Sequence, residues 1–214
     1  MRKTKKGSNE LVRVYFFNRP GAGNTSKVID AVKRRLRQGD VNKILVASES
    51  GRLALALKRT LGRTPMVCVT IDEKTRRRYR KPPLMRDDLL KQGIVIVDEA
   101  SEPLGRELLF RNWWEQETIR LPGPNADLFW MSLICVGGHG LRTAVEIVFM
   151  AVETRAVAEG EKVVSVAGTG WGADSAIVMT ACKFDNVVGV NPKKRMKIEE
   201  ILAMPKQTKW TGYG

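Results

Sequence analysis

Histidine, cysteine and acidic side chains are all scarce in this chain of 214 residues. The single histidine, His139, has no serine or cysteine at the spacing of a nucleophilic catalytic set, and a lone histidine is more often structural. Cys68, Cys135 and Cys182 are far apart, lie in apolar surroundings and show no metal-site spacing. We therefore expect buried free thiols in a reducing compartment, and no catalytic residue is predicted.

Long apolar runs are scarce as well. The longest, at residues 128–136, is much shorter than the ~18 residues that a membrane span needs. The basic N-terminus is not followed by an apolar segment of the kind found in secretory signals. These features predict a cytoplasmic protein with no membrane partner.

The shortage of acidic residues leaves a strong positive charge. The sequence has 37 Lys and Arg against 23 Asp and Glu, a net charge of +14. One cluster, from Lys74 to Lys81, has six basic residues in eight positions. Such clusters favour nucleic acid electrostatically, although an ordinary solvated surface can have the same composition. A nucleic acid partner bound by a basic loop at residues 74–81 is therefore one of two open interpretations.

Apolar segments alternate with helical patterns in the first half of the chain. Runs rich in β-branched residues at 12–17, 43–47, 66–71 and 94–97 predict strands. Apolar residues at helical spacing follow the first and the second of these runs. The order strand, helix, strand, helix, strand predicts a parallel sheet with right-handed crossovers.

The domain organisation follows from composition. Hydrophobic residues make up 43% of the chain, which is sufficient for one large core. We predict a single α/β domain at 11–206, a basic disordered tail at 1–10 and a C-terminal tail at 207–214. The middle of the domain, 72–134, is irregular and insertion-like, and it contains the paired tryptophans Trp113 and Trp114.

Glycine-rich segments mark the second half. A β-branched run at 163–167 predicts a strand, and residues 168–172 then hold three glycines in five positions. Such a turn can bring backbone N–H groups to an anion, but it can also be an ordinary tight connection, and both interpretations stay open. A long apolar helix is predicted at 141–153, and the glycines around His139 leave N–H groups at its start that suit an anion. Further strands are predicted at 176–181 and 200–204.

Several segments occur together in a recognisable order. They are VYFFNRPG at 14–21 followed by Asn24-Thr25, VASESGR at 46–52, GHGL at 138–141, GADSA at 172–176 and ILAMP at 201–205. Together they resemble the stand-alone pyruvate kinase C-terminal-domain-like proteins, a small family known mainly from archaea. The resemblance implies a three-layer α/β sandwich around a mostly parallel sheet. It implies no kinase activity, because the catalytic barrel of pyruvate kinase is absent.

The resemblance also implies a ligand. In the full enzymes this domain binds a phosphorylated effector at loops that resemble residues 50–52 and 168–175, and stand-alone relatives hold FMN. We therefore expect binding of a phosphorylated, FMN-like molecule. A flavin-dependent redox enzyme and a nucleic-acid-associated protein are the alternatives, and a homo-oligomer is a further possibility.

The expected binding residues lie in four loops. Trp171 stands near the position where relatives carry a basic residue, so its indole would have to stack on a flat ring instead of meeting a charge. The cofactor-binding residues expected from the resemblance and the glycine pattern are Asn18, Asn24, Thr25, Ser48, Ser50, Gly51, Arg52, Gly138, His139, Gly140, Gly168, Thr169, Gly170, Trp171, Gly172 and Asp174.

Overall fold

The computed structural model describes residues 13–98, 125–187, 191 and 194–207. The predicted N-terminal tail, the paired tryptophans and almost all of the predicted C-terminal tail lie outside the described residues. The strands are β1 (Tyr15–Phe17), β2 (Ile44–Ala47), β3 (Met66–Thr70), β4 (Val95–Asp98), β5 (Lys162–Ala167), β6 (Ser175–Thr180) and β7 (Lys197–Pro205). The helices are α1 (Thr25–Leu36), α2 (Arg52–Leu61), α3 (Glu73–Arg78), α4 (Arg86–Lys91) and α5 (Asn125–Glu153), with short 3₁₀ turns at Ala22–Asn24 and Phe184–Asn186.

The strands form one seven-stranded sheet in the order β1-β7-β6-β5-β2-β3-β4. β6 is antiparallel to both of its neighbours, and every other pairing is parallel. The predicted mostly parallel sheet is confirmed. β2 and β3 lie inside the sheet, which explains why their sequences are continuous apolar runs rather than alternating ones.

Successive strand residues point to opposite faces of the sheet, and each face has its own core. On one face Leu45 of β2 belongs to a cluster with the buried side chains of α5, such as Val148. On the other face Val46 joins a cluster that contains Val28 of α1 and Leu57 of α2. Helices therefore cover both faces, and the sheet is the middle layer.

Helix α5 is longer than the sequence predicts. The expected helix at 141–153 is present, but helical residues also precede it from Asn125, with a break at Gly137 and Gly138. The stretch from Phe129 to Glu153 is long and apolar enough to cross a membrane by length and composition, so the search for long apolar runs missed it. In the structure 78% of its most apolar stretch is buried, as in the core helix of a soluble protein.

The cysteine prediction holds in part. Cys68 and Cys182 are buried free thiols, and burial raises the pKa of Cys68 to about 12 and that of Cys182 to about 11. Cys135 is free but exposed, so the expectation of a buried thiol is wrong there. Its place on the first half of α5, ahead of the break, explains the difference, because several side chains there face solvent.

The predicted basic loop at 74–81 is wrong in its first part, which forms helix α3. Asp72 caps this helix, because its carboxylate accepts a hydrogen bond from the backbone N–H of Thr75 at 2.8 Å. Arg76 is only 3% exposed, and its guanidinium donates to Thr70 Oγ1 at 2.9 Å and to the Pro82 carbonyl at 2.7 Å. Part of the positive charge of this segment is thus used to hold the chain together.

Candidate functional site

The candidate site lies at the edge of the sheet where the parallel strands end. β2 and β5 are parallel neighbours, with Val46 opposite Val166, so the loop after Ala47 and the turn after Ala167 leave the sheet side by side. After β2 the chain continues to β3 on one side of this pair, and after β5 it continues to β6 on the other side, so the two connections diverge here. In open α/β sheets, ligands bind at such a divergence, outside the carboxyl ends of the strands.

One part of this edge, which we call the packed side, is organised around Asp174. This residue is fully buried, and one carboxylate oxygen accepts hydrogen bonds from the backbone N–H of Gly21 at 2.8 Å and of Thr169 at 3.0 Å. The other oxygen accepts from Ser175 Oγ at 2.9 Å. Asp174 therefore ties the loop after β1 to the turn after β5, and its hydrogen-bonding capacity is largely used within the protein.

The start of α1 belongs to the packed side as well. The hydroxyl of Thr25 accepts from the backbone N–H of Ala173 at 3.0 Å and donates to the Ala22 carbonyl at 2.7 Å. The amide of Asn24 donates to the Arg19 carbonyl at 2.8 Å. The polar groups of both residues therefore stabilise the loop and its contact with Ala173. Asn18 is exposed in the same loop.

Three glycines of the packed side are required by close approach. A Cβ at Gly168 would collide with the Gly172 carbonyl, and one at Gly172 would collide with Thr25 Oγ1 and Ala22. A Cβ at Gly140 would collide with the side chains of Asp174 and Ser175. Close packing within the protein therefore requires glycine at each of these positions.

Helix α5 reaches the same edge from the opposite face of the sheet. Gly138 has φ 74°, a left-handed conformation that favours glycine, and the helix resumes at His139. His139 is half-buried and Gly140 is buried against the start of β6. Helical residues do resume at His139, but the glycines are a break within a longer helix and not its first turn, and Gly140 lies against Asp174 and Ser175.

The second part of the edge consists of the loop after β2, residues 48–52, and residues 169–171 of the glycine turn. We call this part the open side. Gly51 has φ 84° and lies against Leu89, and Arg52 begins α2. The backbone N–H of Arg52 contacts Ser50 Oγ at 3.4 Å, while its guanidinium is exposed and makes no ion pair or hydrogen bond with the described residues. Ser48 and Ser50 line the base of the loop and are nearly buried.

The glycine turn contributes three residues to the open side. The Thr169 hydroxyl oxygen is buried and has no hydrogen-bond partner among the described residues. Gly170 is exposed, and the indole of Trp171 is 61% exposed. An unsatisfied hydroxyl next to an exposed aromatic ring and a nearby arginine is an arrangement that can bind a polar, partly aromatic ligand.

Electrostatics separate the two sides. The first turn of α2 contains no acidic residue, so the positive end of its dipole and the charge of Arg52 act in the same direction. Beneath the packed side, Arg142 Nη2 donates to Glu146 Oε1 at 2.7 Å within α5. Burial nevertheless raises the pKa of Glu146 to about 8. This buried pair belongs to the core, not to the edge.

The described residues limit the metal chemistry of the site. Within the described ranges, no group of three or more His, Cys, Asp or Glu side chains is placed to hold a metal ion. Gly21, whose N–H donates to Asp174, is not among the expected binding residues, although it ends the VYFFNRPG segment at 14–21. No model of a known protein family matches the chain.

Proposed function

We propose that this protein binds a phosphorylated, flavin-type small molecule such as FMN on the open side of the carboxyl edge, and that it does so without kinase activity. The observation that carries the proposal is Arg52, an exposed guanidinium at a helix start with no acidic residue in the first turn. An arginine at this position raises the repulsion at the positive end of the helix, which an anionic ligand would relieve.

The phosphate contacts follow from the groups that are available there. Arg52 would supply a charge-assisted hydrogen bond, and the first N–H groups of α2 point to the same region. The unpartnered hydroxyl of Thr169 and the hydroxyl of Ser50 would add neutral hydrogen bonds. These groups lie in loops that follow the neighbouring parallel strands β2 and β5, so we expect one phosphate to contact both loops.

The ring of the ligand has a candidate partner in Trp171. An indole that is 61% exposed at a binding edge presents a flat apolar surface on which an isoalloxazine ring can stack. The resemblance to the stand-alone pyruvate kinase C-terminal-domain-like proteins supports the same ligand class, and the seven-stranded, mostly parallel sheet is compatible with that family.

The alternatives have weaker support. A flavin-dependent redox enzyme would need a group beside the ring that exchanges a proton. Besides hydroxyls, an indole and a guanidinium, the described open side offers one carboxylate, Glu49, and it is paired with Lys81. Nucleic acid binding through residues 74–81 loses Arg76, which is buried, and Lys81 is engaged with Glu49 at 3.3 Å. We therefore favour ligand binding over both.

The proposal is tested by titrating the purified chain with FMN and following the quenching of flavin fluorescence. Arg52→Ala should weaken binding about ten- to hundredfold, the worth of a hydrogen bond to a charged group. Arg59→Ala is the matched control, since Arg59 is an exposed arginine near the other end of α2, and it should bind like the wild type. The proposal fails if the wild-type chain shows no saturable binding at micromolar FMN.

A further inference from the structure

A second feature of the molecule is the strongly basic outer face of α1 and α2, which we call the α1–α2 face. The two helices lie side by side on the same face of the sheet and share one core cluster. Val28 and Val32 bury the inner side of α1, and Leu53 and Leu57 bury the inner side of α2. The outer cations are Lys27, Lys33 and Arg34 on α1, Arg37 directly after it, Arg52 and Arg59 on α2, and Arg63 just beyond α2.

Acidic side chains do not neutralise this face. Residues 25–63 contain ten basic and three acidic residues. Two of the ten, Arg35 and Lys43, are not among the outer cations, because they pair with Glu200 at 2.8 Å and with Glu161 at 3.0 Å. Asp30, the one acid of α1, accepts from Tyr15 at 2.8 Å and lies 3.8 Å from Arg34. Asp40 is engaged by the buried Arg35 and by Lys162 at 3.1 Å. α2 has no acidic residue.

The side chains of the α1–α2 face indicate which kind of polyanion it can bind. None of the exposed large hydrophobic residues of the described chain lies on α1 or α2, so the face has nothing to insert into a lipid headgroup layer. It also has no aromatic side chain on which unpaired bases could stack. A regular array of phosphates, held by lysine and arginine alone, is the partner that fits best.

We propose that the α1–α2 face binds the phosphate backbone of duplex nucleic acid without reading its sequence. Lys27 and Arg37 are separated by ten residue steps, about 15 Å at 1.5 Å per residue. Packed helices lie about 8–10 Å apart, so the face spans several phosphates of a duplex that carries one charge per ~1.7 Å. This surface is separate from residues 74–81, where burial and internal pairing use part of the charge.

The test measures fluorescence anisotropy of a labelled 20-base-pair duplex of arbitrary sequence with the full chain, between 50 and 200 mM salt. The first variant combines Lys33→Gln, Arg37→Gln and Arg59→Gln, which removes three charges from the α1–α2 face and keeps good helix formers. The matched control combines Lys74→Gln, Arg77→Gln and Arg78→Gln, which removes three exposed charges from α3. Arg52 is left intact in both, so FMN binding stays a separate readout.

We expect wild-type affinity that falls steeply with salt, as phosphate contacts require. The first variant should bind at least about tenfold more weakly and lower the slope of log K against log salt by about 3, and the control should change affinity less than about threefold. Salt-insensitive or undetectable binding by the wild type would overturn the proposal. An equal loss of duplex affinity in both variants would also overturn it, because affinity would then depend only on net charge. Binding to phosphatidylserine vesicles without binding to the duplex would overturn it as well.

Discussion

The packed side and the open side of the carboxyl edge use similar residues for opposite purposes. On the packed side, Asp174 accepts a hydrogen bond from Gly21, Thr25 accepts one from Ala173, and Gly140 lies too close to Asp174 for a Cβ to fit. On the open side, Arg52 has no partner among the described residues and the hydroxyl of Thr169 is unsatisfied. Glycines and hydroxyl residues after a strand therefore do not by themselves identify a phosphate site, because the same residue types also build a junction between loops.

The difference predicts two separable properties. Changes on the packed side should reduce stability, because buried polar groups would lose their partners. Changes on the open side should reduce ligand affinity and leave stability almost unchanged, because Arg52 is exposed. The following changes test whether stability and ligand affinity depend on different residues.

The largest effect is expected from Asp174→Ala. The change leaves the N–H groups of Gly21 and Thr169 and the hydroxyl of Ser175 without their acceptor in a buried place. Removing one partner from a buried charged network should lower the free energy of unfolding by about 3–5 kcal/mol, measured by urea denaturation. Asp30→Ala is the control: it removes an exposed carboxylate that also accepts a hydrogen bond, and it should be far milder. Equal losses would mean that Asp174 is not the junction we describe.

The next effect concerns pH and lies in α5, beneath the packed side. Because the pKa of Glu146 is raised to about 8, the folded chain holds a proton there that the unfolded chain releases near pH 4.5. The folded state then binds more protons between these values, so its stability should decline as pH rises. Relative to Glu146→Gln, we expect the unfolding free energy of the wild type to fall by about 2–3 kcal/mol between pH 5.5 and 7.5. Parallel pH profiles for the two proteins would refute the buried protonated carboxyl.

A smaller loss is expected from Gly140→Ala. The new methyl group would meet Asp174 and Ser175, and overpacking of this kind lowers the unfolding free energy by about 1–3 kcal/mol. Gly23→Ala is the matched control, because a Cβ there has no atom within 4 Å. The control should leave stability unchanged or raise it by up to about 1 kcal/mol. Urea denaturation measures both changes. If the two variants have the same unfolding free energy, the packed side is less tightly packed than the structure indicates.

Much of the fold could be predicted because it depends on local patterns. Runs of β-branched residues identified the strands, and the spacing of Leu53, Leu57 and Leu61 identified the inner side of α2. Two errors came from local signals that long-range packing overrode. Residues 74–78 are basic enough to suggest a solvated loop, but the cap at Asp72 and the buried Arg76 hold them as a helix. The glycines at 137–138 were read as a helix start, whereas they interrupt a longer helix.

The site was predictable only as a set of loops. Strand order decides which loops meet, and the pairing of β5 with β2 joins segments more than 100 residues apart. No local pattern distinguishes the carboxylate of Asp174, which is fully buried, from a solvent-facing one. The division of the expected residues between the packed and open sides therefore required the structure.

The most direct test of the central claim compares FMN with riboflavin, which differ by the phosphate. Calorimetric titration of the wild type should give at least about tenfold tighter binding of FMN, and Arg59→Ala should keep that preference. In Arg52→Ala the preference should shrink toward equality, while the unfolding free energy stays within about 0.5 kcal/mol of the wild type. An Arg52→Ala protein that still prefers FMN to the full extent would contradict the assignment of the phosphate to the open side.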